Sequence, residues 1–271
     1  MMKYIALFAL IFTFPVSSNI KIPFLWESYK SNGVVYDKAA MIIPVIGEDN
    51  KFLQLDTGSV DSYIYGKKED VYLSVKGNHK VSHKFKALPD MQSAKIIGTL
   101  GNDYFLNKCV AIDFPNQSIE ISNCSLLKQN KQVSWLESYR HNTGHLMVGV
   151  DIGSNHFNNV MLDTGSSIFS LTLTKNNWLN TIPEGAENNP LYQIKSSSWG
   201  KDVVIKGTFP DDDLCIGTYC SKQPVYLEPN KEMVKVGIDG VIGNIVFLNS
   251  TLILNFQNDT VGVLNINLSD T

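Results

Sequence analysis

The chain has 271 residues, 44% of them hydrophobic and 18% charged, a balance that excludes a disordered or fibrous protein and supplies apolar material for one or two cores. Its 23 Lys and Arg against 26 Asp and Glu leave a net charge of -3, so no global field exists to hold a polyanion and no nucleic-acid partner is expected. Four cysteines without a Cys-x-x-Cys pair exclude a disulfide-dense mini-scaffold and a zinc ribbon.

Lys3 is followed by an uncharged apolar run from Tyr4 to Phe14 and then by Pro15, Val16, Ser17 and Ser18, the pattern of a cleavable signal peptide over 1–18. Eleven apolar residues cannot cross a hydrocarbon core of ~30 Å as a helix, and no later segment is long and apolar enough to do so. The mature protein is therefore expected to be soluble, without a membrane span, and secreted or periplasmic. No lipobox cysteine lies near the cleavage site, so no lipid anchor is expected.

Short segments rich in β-branched and aromatic residues follow, such as Met41 to Ile46 and Phe52 to Leu55, which predicts strands. The second runs into Leu55-Asp56-Thr57-Gly58-Ser59, and the same pentapeptide returns as Leu162-Asp163-Thr164-Gly165-Ser166. The repetition is wider than this motif. Gly101 to Ile121 lies without a gap on Gly243 to Val263 with seven identities in 21 positions, and Glu27-Ser28-Tyr29-Lys30 recurs as Glu137-Ser138-Tyr139-Arg140. Two copies of one unit are therefore expected, over about 22–124 and 133–264, with Ser125 to Lys131 as a polar connector. This divides the mature chain into an N-terminal lobe, 19–128, and a C-terminal lobe, 129–271. Helical signal is confined to short stretches, chiefly Asn102 to Asn107 and its partner Asn244 to Asn249. Val110 to Phe114 and Leu252 to Phe256 read as strands entering equivalent hairpins, centred on Asn116-Gln117 and Asn258-Asp259.

Four cysteines allow three pairings. If the first hairpin turns between Asn116 and Gln117, Cys109 and Cys124 lie opposite each other and suit a cross-strand disulfide. Cys215 and Cys220 flank a tight turn and suit a second bridge of the kind an exported protein keeps. Four free buried thiols remain the alternative.

An apolar strand running into Asp-Thr-Gly in each half resembles the bilobal aspartic proteases, the pepsin-like and retropepsin-like superfamily. That family also places two apolar residues and a glycine further along each half, and Thr99-Leu100-Gly101 and Val241-Ile242-Gly243 are similar to that pattern, with Thr99 less apolar than it prefers. The resemblance runs through nearly all of the mature chain. It implies an all-β, bilobal pepsin-like acid protease fold with two pseudo-twofold lobes and a few short helices, each lobe giving one carboxyl to a shared cleft. It also implies an aspartic-type endopeptidase, a monomer that binds a peptide or protein substrate as an extended strand between the lobes.

The chemistry needs this residue choice. Hydrolysis without a metal or covalent nucleophile requires one group to take a proton from water and another to give one to the carbonyl oxygen. Two carboxyls held about 3 Å apart cannot both ionise, so Asp56 and Asp163 would share one proton and titrate as a pair. Gly58 and Gly165 let backbone N–H groups approach the carboxylates without a Cβ in the way. By resemblance, Thr57 and Thr164 reach across to the opposite lobe and lock the two loops together. Ser59 and Ser166 are expected to hydrogen-bond the outer carboxylate oxygens. A single Asp-Thr-Gly-Ser is an ordinary turn sequence; two, each ending an apolar strand within a duplication, demand another explanation. A catalytically inactive binding or inhibitor protein of the same fold is the alternative.

The sequence also departs from the family. Only 42 residues separate Asp56 from Thr99, against 77 between Asp163 and Val241, and the extra length is expected over one side of the cleft. A flap hairpin would fall within Val71 to Phe85, turning at Gly77-Asn78, with Tyr72 as its candidate tyrosine. The repeat begins close to the signal cleavage site, so no prosegment is expected. His79 with His83 and His141 with His145 have metal-like spacing, but the surroundings read as strand and loop; neither a metal nor a cofactor is expected.

Overall fold

The computed structural model describes residues 19–75, 77, 81–91, 95–122, 124, 132–198 and 201–265. The expected signal peptide, the connector at 125–131 and the point where the two lobes were divided lie outside them. The described chain is overwhelmingly β and bilobal, arranged in sheets of seven, ten and six strands. Period-2 patterning accounts for strands such as Phe52–Leu55, whose Leu53 and Leu55 are buried while Phe52 and Gln54 are half-buried. Ser250–Asn255 is buried at all six positions, as a strand covered on both faces must be.

The seven-stranded sheet is built from the first copy and the ten-stranded sheet from the second. In the first copy Phe52–Leu55 runs parallel to Ile96–Leu100, pairing Leu55 with Leu100. In the second, Asn155–Leu162 runs parallel to Gly240–Ile242, pairing Leu162 with Ile242. These are the strands that carry the two aspartates, each clamped beside the apolar-apolar-glycine strand. The extra length of the second copy forms a helix at Lys175–Leu179 and two hairpins, Tyr192–Ser198 with Lys201–Thr208 and Leu214–Ile216 with Tyr219–Ser221.

The six-stranded sheet belongs to both copies. Its two central strands, Cys109–Asp113 and Ser250–Asn255, pair antiparallel, and Ala111 faces Ile253. Those two residues are counterparts in the repeat, so the pseudo-twofold axis passes between them. One hydrophobic core runs through both copies, from Ile22 and Leu53 to Leu252 and Val263.

Both repeat hairpins turn one residue earlier than expected. Asp113 pairs with Ser118, and Asn255 pairs with Thr260. The cause is a side-chain cap in each copy. Asp113 accepts hydrogen bonds from Asn116 N at 3.1 Å and Asn116 Nδ2 at 2.8 Å. Asn255 Oδ1 accepts from Gln257 N at 3.0 Å and Asn258 N at 3.4 Å. The turn then closes through a left-handed residue, Asp259 at φ 59° in the second copy, where a short polar side chain suits that conformation, and Gln117 at φ 49° in the first. Cys109 consequently faces Ser122, not Cys124. The Cys109–Cys124 disulfide still forms, because Cys124 returns to within a Cα distance of 4.9 Å just past the strand end. Cys215 and Cys220 do face each other and form the second bridge. The short helical stretches are 3-10 turns at Asn102–Phe105 and Asn244–Phe247.

Candidate active site

Each Asp-Thr-Gly-Ser begins where its strand leaves the sheet. Asp56 N still donates to Leu100 O at 3.1 Å, and Asp163 N to Ile242 O at 3.0 Å; the chain then turns, with Ser59 N on Asp56 O and Ser166 N on Asp163 O, both at 3.2 Å. Identical pentapeptides thus make identical turns, and the axis brings them face to face.

The threonines join them. Thr57 Oγ1 accepts from Thr164 N at 3.0 Å and donates to Leu162 O at 2.9 Å. Thr164 Oγ1 accepts from Thr57 N at 3.0 Å and donates to Leu55 O at 3.2 Å. Both side chains are buried, so these four bonds face no competition from water. Behind them, Asn102 Nδ2 donates to Thr57 O at 2.9 Å and Asn244 Nδ2 to Thr164 O at 2.7 Å. Sequence reasoning missed this pair, although Gly-Asn opens the longest stretch of the repeat in both copies.

The two carboxyls sit where the loops meet. Asp163 Oδ1 accepts from Gly165 N at 2.7 Å and from Gly58 N of the other copy at 3.2 Å. A Cβ added at Gly58 would lie 2.5 Å from Asp163 Cγ, and one at Gly165 would lie 2.7 Å from Asp56 Cγ. Each glycine therefore makes room for the opposite aspartate. Asp56 keeps some exposure overall, but its Oδ1 is buried and has no hydrogen-bond partner among the described residues. Burial pushes the Asp56 carboxyl well above the usual range; the charge of Asp163 and a hydrogen bond shared with it add to the rise, against the N–H groups of Gly58 and Ser59.

No family model matches the chain, and no curated protein sequence does. Among solved structures, the chain is similar to conglutin gamma, a basic 7S globulin from lupine seeds, at 8% identity and a TM-score of 0.51, over 93% of this chain and 96% of that one. It is also similar to basic 7S globulin from soybean, at 7% identity and a TM-score of 0.48, over 93% of this chain and 98% of that one. At these identities the likeness to conglutin gamma describes the fold alone.

The serines do not hold the carboxylates in the way expected from the sequence. Ser59 is buried and its Oγ donates to Asp61 O at 2.7 Å, so it is the N–H of Ser59 that serves Asp56. In the second copy Ser167 enters the network instead of Ser166: its hydroxyl donates to Thr164 O at 3.1 Å and accepts from Asn244 Nδ2 at 3.0 Å.

The flap assignment also changes. Val71–Val75 and Val81–Leu88 do form a hairpin, but Val75 bridges to Val45 and a Cβ on Gly77 would lie 2.8 Å from Lys21 O. The hairpin thus closes the wall of the first lobe and runs toward the outer strand Ile20–Pro23 of the six-stranded sheet. Its inward residues Val75 and Phe85 are core, and Tyr72 is 68% exposed. A tyrosine that does feel the charge of Asp56 is Tyr65, whose hydroxyl bonds to Thr99 Oγ1. Burial pushes its pKa up, the bond to Thr99 opposes this, and the charge of Asp56 adds to it. Thr99 thereby acquires a reason to be polar at a buried position.

Among the described residues no three His, Cys, Asp or Glu side chains converge as a metal site. His83 bonds to Asp103 at 3.2 Å and packs edge-on against Phe85 and Tyr104; His79 lies outside the described residues. No helix among them is long and apolar enough to cross a membrane.

Proposed function

We propose that the protein is an exported, single-chain aspartic endopeptidase that hydrolyses peptide bonds with a water activated by Asp56 and Asp163. The observation that supports this most directly is the asymmetry of the pair: Asp56 favours its proton, whereas Asp163 Oδ1 accepts two backbone N–H groups that stabilise negative charge. One site then holds an acid and a base at the same pH.

The substrate lies extended between the lobes as an added strand. Asp163 accepts a proton from water as the water oxygen bonds to the scissile carbonyl carbon, and Asp56 gives its proton to the carbonyl oxygen. In the collapse of the resulting gem-diol the C–N bond breaks, the nitrogen takes the proton from Asp163, and one hydroxyl proton returns to Asp56. Two peptides leave and the pair again holds one proton. The threonine and asparagine bonds keep the carboxyls positioned without reorganisation during the reaction. A recess of about 380 Å³ beside Gly58, lined by Val60, Asp61, Tyr63 and Leu88, is open to a substrate side chain. The reading uses no cofactor or metal.

A second reading, a catalytically inactive binding or inhibitor protein, is favoured by the fold likeness to a seed globulin. Incubating denatured mixed protein from acid to neutral pH with wild type, Asp56→Asn and Asp163→Asn separates the two. Cleavage by wild type alone, blocked by a statine-type transition-state mimic, is expected. A folded wild type that neither cleaves nor binds the mimic points to the second reading.

A further inference from the structure

His145 lies at the tip of the hairpin Ser138–Arg140 with Leu146–Ile152, the second copy's counterpart of Leu25–Ser31 with Val34–Pro44. This tip crosses to the other copy. His145 Nε2 is 3.1 Å from Gly58 O, and Gly144, at φ 91°, leaves no space for a Cβ beyond 3.1 Å from Val60. The turn is internally tied: Gly144 N donates to His141 O and His141 N to His145 O, both at 2.9 Å, while Arg140 Nη1 donates to Gly144 O at 2.9 Å.

The partners fix the proton positions. Gly58 O can only accept, so Nε2 of His145 carries a hydrogen. Thr143 N donates to His141 Nδ1 at 3.3 Å, which makes that nitrogen an acceptor. Thr143 Oγ1 lies 2.8 Å from His141 Nδ1 and 2.9 Å from His145 Nδ1, and its hydroxyl can donate to His145 when the ring is neutral or accept when it is charged. The histidine can therefore gain a proton without breaking its contact to Gly58.

Gly58 stands between both carboxyls. Its N–H donates to Asp163, and its carbonyl belongs to the peptide whose N–H, that of Ser59, opposes the rise at Asp56. Polarising that carbonyl strengthens the N–H at the other end of the same peptide. The counterpart carbonyl, Gly165 O, is instead approached by the amide of Gln54 at 3.4 Å, a group that does not titrate. The pseudo-twofold symmetry of the loops is broken at this point by one ionisable side chain.

We propose that His145 is a positioning residue that acts through Gly58 to stabilise the negative charge of the Asp56–Asp163 pair, and does so most strongly when its imidazole is protonated. The charged and titratable groups that act on it are Asp163 and His141; in the first copy's loop Asp61 is tied to Lys86, and the adjacent Arg140 is tied to Asp259. Burial lowers the pKa of His145 and the neighbouring His141 adds to this, while Gly58 O and Asp163 pull it back up, so the ring charges on the acid side of the ordinary imidazole range. The inference rests on reading the two aspartates as a working pair.

The test compares wild type with His145→Gln, which keeps an N–H donor but cannot charge, and His145→Phe. On a peptide substrate, kcat/KM of His145→Gln is expected to fall about three- to tenfold on the acid limb and to stay within about twofold at the plateau; a purely structural role would lower both alike. His145→Phe should lose activity across the profile. The second readout needs no activity: the NMR titration of His145 in wild type and Asp163→Asn, where the variant should titrate at lower pH because coupling is reciprocal. Superimposable profiles, or an unmoved His145 titration in Asp163→Asn, overturn the proposal. Absence of cleavage by wild type with a shifted His145 titration would overturn the enzyme reading and leave the coupling standing.

Discussion

Asp56 shows how burial and a like-charged neighbour act together on one side chain. A carboxyl whose proton affinity rises on folding stabilises the fold below its ordinary range, and that contribution is lost as pH rises through the raised value. Wild type is therefore expected to lose stability toward neutral pH. Asp56→Asn cannot ionise and should be about 0.5–2 kcal/mol more stable there while losing any catalysis. Urea unfolding of both proteins across pH reads this directly; curves that stay parallel would refute the assignment. The placement of the aspartates, glycines and threonines was legible at this scale because it follows from the repeated motif. Ser59 was not, because the direction of a hydroxyl depends on a turn geometry that the residue type leaves open. Tyr65 and Thr99 were hidden for a related reason: each is an ordinary strand residue until the strands Tyr63–Tyr65 and Ile96–Leu100 lie side by side.

Turns and strands decide whether the two loops meet. Each threonine hydroxyl satisfies one N–H and one C=O of the opposite copy in a buried site. Thr164→Val preserves the shape but orphans Thr57 N–H and Leu55 C=O, at an expected cost of about 2–4 kcal/mol. The double variant with Thr57→Val should cost less than the sum of the two singles, because the four bonds form one network. A double-mutant cycle by chemical denaturation measures this, and strict additivity would mean that the network does not act as a unit. Hairpin register was harder to foresee than hairpin existence. Asn116 and Asn258 marked the turns correctly, yet the caps from Asp113 and Asn255 draw each turn one residue toward its N-terminal strand. The supposed flap illustrates the same limit: Val71 to Phe85 did predict a hairpin, but only the contact of Gly77 with the strand Ile20–Pro23 shows which way it runs.

At the scale of the molecule the two copies are not independent beads. Their central strands pair with each other, and one core spans both. Expressed alone, 19–128 or 129–271 would leave an unpaired central edge and exposed apolar surface. Neither fragment is expected to show a cooperative unfolding transition or a native near-ultraviolet signal, whereas the intact chain 19–271 should show both. Two sharp, independent transitions from the isolated halves would contradict the shared core.

The sequence by itself determined the duplication, the all-β class and the paired Asp-Thr-Gly-Ser loops, because each is carried by local pattern or by identity between the copies; it favoured both disulfide pairings, but the Cys109–Cys124 bridge forms in a register that the sequence placed one residue away. Only the tertiary structure decided which groups act across the axis. Gly58 makes room for Asp163, Gly165 for Asp56, and His145 holds the loop of the other copy through contacts spanning 87 to 109 positions. Such contacts are absent from any local window, since they exist only once Ala111 and Ile253 have paired and brought the two loops together.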